Sequence, residues 1–495
     1  MTSETISTPR TLFTNLTING ASVPGEGEVI RVVNPATGEP IGEVAGATEA
    51  QTESAIAAAR EAFDDGRWSG LPPATRATAI GKLADLLEQS DALLDVLVSE
   101  VGTPISTARM IQIGQPVATL RYYSELAGSD FSEALDPAPL LDGISIVDHV
   151  PVGVVAAISA YNFPLTLAMW KLGPALAAGC SVVLVSSPKT PLATLEFGRL
   201  IAEAGIPDGV INVLAGGAEV STLLTTHPSI DKVGFTGSAT VGRLVMGQAA
   251  TSLKDVVLEL GGKSPAIILP GTHLEDVVAP LIQRTSRNTG QACAAPTRYL
   301  VHENDFAEFE RLAKESVAEI TIGDPFDEDT LVGPLIRDEH RANVAGMVDR
   351  AIASGGRLLA QGDLPEGGVG YFFPVTILAD LAQDAEIVQE EVFGPVAVVS
   401  SYRTVDEAVE LANDSQYGLQ GYVFGADVVE ATAVGRRLRV GTVVINGGGG
   451  GARVDAPFGG FKQSGVGREL GRWGLEAYFE PRHVQIATRA PRKAN

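Results

Sequence analysis

The strongest constraint on the fold lies between Val152 and Glu259, where short apolar runs alternate with amphipathic segments. Val152 to Ser159 is nearly all apolar, as a strand buried on both faces must be. The spacing then predicts helix over Lys171 to Ala178, strand over Ser181 to Ser186, helix over Ala193 to Ala204 and strand over Val210 to Leu214. A helix near Glu219 to Thr226, a strand at Lys232 to Thr236, a helix at Ala239 to Ala250 and a strand at Asp255 to Glu259 complete the series. Such alternation builds an α/β fold with a doubly wound parallel sheet, which takes a nucleotide at the carboxyl ends of its strands. The Gly-x-Gly-x-x-Gly fingerprint is absent from the strand-to-helix turns. Its nearest substitute is Phe235-Thr236-Gly237-Ser238, where backbone N–H groups and the Ser238 hydroxyl would hold one phosphate at a helix N-terminus. On local grounds alone a plain N-cap is the commoner role.

The rest of the chain frames this unit. Residues 16 to 46 alternate β-like runs with turns such as Asn34-Pro35, a small hairpin region. Helical spacing follows at Ala50 to Phe63, Ala74 to Ser90 and Asp91 to Gly128. Ile144 to Val150 alternates like an edge strand, and Tyr478 to Thr488 has a matching β-like pattern. A second α/β pattern runs from Ala266 to about Val444, with strands near Arg298 to His302 and Val396 to Tyr402. Its helices are expected at Asp305 to Ile320, Arg341 to Ser354 and Val405 to Asp414.

Composition narrows the function classes. With 36 Lys plus Arg against 60 Asp plus Glu, a net charge of -24 argues against nucleic acid or an anionic membrane as partner. No apolar run approaches the roughly 18 residues of a membrane span. The polar start, Met1 to Asn15, lacks the apolar core of a secretory signal, so a cytoplasmic protein is expected. Two cysteines and six histidines form no zinc-type spacing, and no metal is expected.

One of those cysteines, Cys293, stands among small residues in Gly290-Gln291-Ala292-Cys293-Ala294-Ala295. A sulfur so little shielded is open to a substrate, but it must be activated, since a free thiol has a pKa of about 8.5. Glu259, closing an apolar strand before Gly261-Gly262, is a plausible base. Taken singly, a lone Cys is more often a small buried hydrophobe and a Glu beside glycines more often a cap.

Six motifs in order resolve the ambiguity. Asn162-Phe163-Pro164, Phe235-Thr236-Gly237-Ser238, Leu258-Glu259-Leu260-Gly261-Gly262-Lys263, Gly290-Gln291-Ala292-Cys293, Glu391-Val392-Phe393-Gly394-Pro395 and Pro457-Phe458-Gly459-Gly460-Phe461-Lys462 together resemble the aldehyde dehydrogenase superfamily, nearly end to end. The resemblance implies an NAD(P)-binding domain at 1–130 and 152–261, a catalytic domain at 262–478, and an oligomerisation arm at 131–151 and 479–495 that makes a homodimer or homotetramer. By the same carry-over Cys293 is the nucleophile, Asn162 an oxyanion donor, Glu259 the water-activating base, and Glu469 either a second carboxylate on a proton route or a surface ion pair. Ser159, Ala160, Gly237, Ser238, Leu260, Glu391 and Phe393 are then expected at the cofactor. Retention of Glu259 points to hydrolysis to the free acid rather than transfer to coenzyme A.

Two departures bear on specificity. Where many relatives grip the adenosine ribose with a Lys and, three residues on, a Glu, this chain has Val185 and Pro188, followed by Lys189. NAD is expected as cofactor, with NADP possible. On the substrate side Tyr161, Phe163, Leu167, Trp170, Ala452 and Phe458 should line an apolar funnel, with Arg453 able to select a polar tail. A bulky aromatic, terpenoid or medium-chain aldehyde is the expected substrate. The alternatives are an acid-bearing semialdehyde held by Arg453, Arg298 or Arg284, and a non-catalytic protein like the crystallins derived from this family. The run Gly447 to Gly451 reads as a flexible loop or as a pocket wall emptied of bulk.

Overall fold

The computed structural model describes residues 12–129, 131–136, 143–448 and 452–487. Two large sheets dominate. The first has eight strands in the order Ala21–Val23, Leu16–Ile18, Ile211–Ala215, Ser181–Ser186, Val154–Ile158, Lys232–Thr236, Asp255–Glu259, Gly465–Val466. Its five central strands are parallel. The chain leaves Val154–Ile158 toward one edge and later returns to its other side at Lys232–Thr236. That reversal opens the crevice in which doubly wound sheets take ligands, between the loops that follow Ile158 and Thr236.

The edges are antiparallel additions. The hairpin of residues 16 to 23 does not stand alone, because Thr17 pairs with Val213 and extends the sheet. At the far edge Gly465–Val466 pairs with Leu258 and Glu259, so the chain returns to the first sheet near its end.

The second sheet has seven strands in the order Arg357–Gln361, Thr376–Ala379, Val396–Tyr402, Pro296–His302, Ser264–Ile268, Gln420–Phe424, Thr442–Ile445, all parallel but the first. Each sheet has its own apolar core. A smaller cluster of Leu167, Trp170, Leu419, Phe458 and Leu470 packs with Phe163, Cys293 and Ala452.

The join between the sheets positions the chemistry. Glu259 ends a strand of the first sheet and Ser264 starts a strand of the second, so only Leu260 to Lys263 separate them. Cys293 precedes the Pro296–His302 strand, which pairs with the Ser264–Ile268 strand from its first residue. Covalent connection and strand pairing therefore deliver a carboxylate and a thiol to the same junction. Close approach there needs bare backbone: a Cβ on Gly261 would lie 2.3 Å from Glu391 Oε2, and one on Gly262 would lie 2.3 Å from the Cys293 carbonyl oxygen.

The helix predicted from Lys171 begins earlier, at Pro164, and runs to Ala178. Proline at the first helical position costs no hydrogen bond and presets φ, and Gly179 at φ 101° closes the helix with a left-handed cap. Every residue of this helix is buried. The Phe479–Ile486 strand pairs antiparallel with Ile144–Pro151 along its whole length, and Glu133–Ala134 adds a short third strand. The tail beyond residue 487 and Gly449 to Gly451, the heart of the glycine run, lie outside the described residues. Among the described residues no helix is long and apolar enough to cross a membrane.

Candidate active site

A cavity of about 770 Å³ opens at the junction of the sheets. It is bordered by Asn162, Cys293, Glu391 and Phe393, with Ser159, Ala160 and Tyr161 on the loop after the Val154–Ile158 strand. Gly237, Ser238, Leu260, Pro188 and Lys189 border it too, as do Phe163, Leu167, Trp170, Ala452 and Phe458.

Four expected site residues lie elsewhere. Val185 is fully buried within its strand, where its carbonyl accepts from the Ser159 N–H at 3.1 Å, so its side chain faces the sheet core rather than a ligand. Arg453 points to solvent and forms an ion pair with Asp455 at 2.7 Å, a local partner two residues away that holds it off the cavity. Glu259 and Glu469 are buried behind the wall, each 2 % exposed. Glu469 is thus no surface ion pair, because its Oε1 meets Lys171 Nζ at 2.8 Å in the protein interior.

The cysteine loop is wound unusually tightly. Asn288, Thr289 and Gly290 take left-handed backbone angles in succession, with φ of 51°, 57° and 69°. Two of these are non-glycine residues, and such conformations persist only where surrounding contacts enforce them. Here the contacts are visible. Asn288 Oδ1 accepts from Thr103 Oγ1 at 2.6 Å, Asn288 Nδ2 donates to the Asn162 carbonyl at 3.1 Å, and Thr289 Oγ1 donates to the Gly333 carbonyl at 3.0 Å. Gln291 Oε1 accepts from the Ile336 N–H at 3.1 Å. Asn162 is tied to the same loop, since its Nδ2 donates to the Gln291 carbonyl at 2.9 Å and its own carbonyl accepts from Gln112 at 3.0 Å.

Electrostatics set the resting protonation. Cys293 keeps part of its surface open. Burial nevertheless pushes its thiol up, the charges of Glu391 and Glu259 push it further, and the Cys293 and Ala294 N–H groups pull only weakly the other way. Glu259 is held well above the usual carboxylate range, first by burial and then by Glu469, against the opposing pull of Lys171 and Arg468. Neither oxygen of Glu259 has a hydrogen-bond partner among the described residues. Glu391 is raised to about 7 by burial, although its Oε1 accepts from the Gly262 N–H at 3.1 Å.

Sequence reading missed Lys171, Gln112, Thr103 and Tyr422. Lys171 donates to Thr236 Oγ1 at 2.6 Å as well as to Glu469. Its signal was present, because a single Lys inside the apolar run Leu165 to Leu176 needs a buried partner. Tyr422 Oη donates to the Ala294 carbonyl at 2.8 Å, beside the cysteine. Arg298 does not reach the cavity. Its buried guanidinium donates to the carbonyls of Lys263, Leu411 and Ala412, fixing the backbone next to the junction. Among the described residues no group of three or more His, Cys, Asp or Glu side chains could hold a metal ion.

Comparison with known proteins agrees with this geometry. Residues 22–484 match the family model described as the aldehyde dehydrogenase family. The chain is 39% identical over 499 residues to betaine aldehyde dehydrogenase of Bacillus subtilis, covering 97% of this chain and 98% of that protein. It is 39% identical to geranial dehydrogenase of Castellaniella defragrans, covering 92% and 95%. The crystal structure of betaine aldehyde dehydrogenase from Staphylococcus aureus in complex with NAD+ superposes with a TM-score of 0.94 at 36% identity, covering 97% and 96%. From the cysteine loop to the two-sheet frame that holds it, this chain belongs to the aldehyde dehydrogenase family of oxidoreductases.

Proposed function

We propose that this chain oxidises an aldehyde to the free carboxylic acid on Cys293, with NAD as the hydride acceptor and NADP as a possible substitute. The observation that carries the reading is the convergence of Cys293, Asn162 and Glu391 on one cavity, with the buried Glu259 close enough to raise the proton affinity of the sulfur.

The cavity fits a dinucleotide. Two helix N-termini border it, at Gly217 before Ala218–Thr226 and at Ser238 before Ala239–Ala249, where Ser238 Oγ caps the helix by accepting from the Val241 N–H, and the positive end of a helix suits a pyrophosphate. Gly217 has no atom within 4 Å of where a Cβ would stand, which leaves space for a ligand. Ser238, Gly237 and Leu260 would hold the phosphate side, Glu391 the ribose next to the nicotinamide, and Phe393 the ring. When bound, the nicotinamide supplies the acceptor for the hydride lost from the substrate carbon.

The protein's own work begins with a proton. The Cys293 thiol must lose it to a base, and Glu259 has the required affinity because burial and Glu469 raise it. Sγ then adds to the carbonyl carbon and forms a thiohemiacetal. Asn162 Nδ2 and the Cys293 N–H would meet its oxygen, each donor contributing about 3 kcal/mol. Once Glu259 has given up that first proton and hydride loss has left a thioester, Glu259 takes a proton from the water that attacks the carbonyl carbon, and the acid is released as the Cys293 thiolate leaves. Glu469, whose charge bears on Glu259, would stand on the route by which that proton leaves.

The apolar wall of Phe163, Leu167, Trp170 and Phe458 supports a substrate with an apolar body, in line with the bulky or medium-chain aldehyde expected from sequence. The paired strands Ile144–Pro151 and Phe479–Ile486 support the arm and with it a homodimer or homotetramer, which light scattering would resolve. For the reaction, NADH formation with NAD and a panel of aldehydes is the test. Absence of NADH with every aldehyde, or full turnover by Cys293→Ser, would refute it.

A further inference from the structure

We infer that Tyr422 is a positioning residue for Cys293: its hydroxyl anchors the Ala294 carbonyl and so fixes the place from which the sulfur attacks. The inference rests on the Cys293 chemistry proposed above and adds the residue that holds its nucleophile in register.

Tyr422 stands in the Gln420–Phe424 strand of the second sheet, with Ala266 as its partner in the neighbouring Ser264–Ile268 strand. That neighbour begins where the junction between the sheets ends, so the tyrosine is carried on the rigid frame and not on a loop. Its ring packs in the core of the sheet and is 1 % exposed. At the end of the ring the hydroxyl donates to the Ala294 carbonyl at 2.8 Å. A phenylalanine would fill the same core, so the buried hydroxyl calls for a reason of its own.

Gln420 shows that the bond is supported from behind. Residues two apart in a strand share a face, and Gln420 Nε2 donates to Tyr422 Oη at 2.6 Å. With the oxygen accepting there, the phenolic hydrogen is left for Ala294. Gln420 and Tyr422 are both buried, and two buried polar groups in one short strand destabilise it unless they find partners. Here they form a chain of two hydrogen bonds that ends beside the cysteine. Both residues border the cavity that holds Cys293.

The cysteine loop needs a tie on this side. Before the sulfur, Asn288, Thr289 and Gln291 are bonded to Thr103, Gly333 and Ile336. After it, the Ala295 N–H closes a turn on the Ala292 carbonyl at 3.0 Å, and Pro296, which has no N–H to give, opens the next strand. Tyr422 supplies an anchor for that limb. Arg284, from the helix that leads into the loop, lies over the same ring, 5.1 Å from its centroid. One aromatic side chain therefore grips the chain on both sides of Cys293.

Tyr422→Phe keeps the ring and removes the hydroxyl. With enzyme in excess over hexanal or benzaldehyde and NAD saturating, single-turnover NADH formation should slow by roughly tenfold to a hundredfold, the effect of a reacting group displaced by about 1 Å. NAD binding, followed by tryptophan fluorescence, should stay at the wild-type value. The limbs of the pH profile should keep their positions, because the hydroxyl holds backbone and carries no proton of the reaction. Gln420→Leu should slow the same step less, and should add nothing in the double variant, since it acts through the hydroxyl. A folded Tyr422→Phe protein with wild-type single turnover overturns the inference, as does a displaced pH limb or a double variant in which the two losses simply add. If Tyr422→Phe does not fold, Gln420→Leu decides: a slower turnover supports the anchor and an unchanged one overturns it. Those outcomes leave the general reaction standing, whereas wild-type protein that yields no NADH from any aldehyde removes the reaction and this inference together.

Discussion

Lys171 Nζ and Glu469 Oε1 form an ion pair of 2.8 Å inside the protein, with the two side chains 0% and 2% exposed. The partners are distant in sequence and meet because the Gly465–Val466 strand returns to the first sheet beside Glu259. Breaking such a pair strands a charge in the interior, at a cost of about 3–5 kcal/mol. Lys171→Met should therefore lower the thermal unfolding temperature sharply, which differential scanning calorimetry would measure. A loss no larger than that of a surface substitution would contradict the pairing.

Glu469 also acts on Glu259. Burial is the first cause of the raised proton affinity of Glu259 and the charge of Glu469 the next, so removing that charge should lower it. In Glu469→Gln the acid limb of the kcat profile should move to lower pH, because Glu259 stays an effective base further into acid. A limb that stays in place or moves upward would deny the coupling.

Glu259→Gln separates the two halves of the proposed cycle. Thioester formation should persist and hydrolysis slow by roughly 10²–10⁴-fold. Rapid mixing with NAD and aldehyde should then give a burst of NADH close to one per site, followed by a slow steady state. The proton from Cys293 would go to water in this variant, so the burst should strengthen with rising pH. A variant with neither burst nor turnover would mean that water cannot replace Glu259 as acceptor of the Cys293 proton.

With Asn162 as the proposed donor to the oxyanion, Asn162→Ala should reduce kcat by roughly 10²–10³-fold. It also removes the tie to the Gln291 carbonyl, which helps hold the left-handed turn before Cys293. Asn162→Asp keeps a side chain of the same size and cannot donate when ionised, so it should fail as badly. Activity in the Asp variant near wild type would exclude the oxyanion role.

A fourth carboxylate reports on the scaffold. Glu100 is fully buried and accepts from the Leu192 and Ala193 N–H groups, both at 2.9 Å, at the start of the Leu192–Ala204 helix. Burial raises its pKa to about 8 despite those bonds. A carboxyl with a raised folded pKa binds its proton more tightly folded than unfolded. Its contribution is therefore complete below the ordinary carboxylate range, falls as pH rises, and is gone above about 8. Between pH 5 and 8.5 the wild type should lose more thermal stability than Glu100→Gln. Equal losses in both proteins would rule out this titration.

The parallel strands were legible in the chain because burial on both faces leaves an uninterrupted apolar run, as at Val154–Ile158 and Ser181–Ser186. Cys293, Asn162 and Glu259 were singled out by the motifs around them, and the fold brings Cys293 and Asn162 to one cavity with Glu259 buried behind its wall. What escaped depends on partners remote in sequence. Lys171, alone in an apolar run, calls for a buried partner, but only the fold shows that partner to be Glu469, 298 positions later. Arg453 looked available for a ligand because nothing in a list of residues reveals that Asp455 folds back onto it. Arg284 was named from the sequence for an acid-bearing substrate; Arg287 was not, because it resembles the usual positive end of a helix, and the direction of that end brings both to the cavity.

The four residues Leu260 to Lys263 carry a final consequence. At Gly261 and Gly262 the backbone meets the Glu391 carboxylate and the Cys293 carbonyl with no room for a carbon between them. An alanine at either position would act as a wedge and force the two halves of the reaction chamber apart. The spacing between the Cys293 loop and the Glu391 carboxylate is thus set by two absent methyl groups.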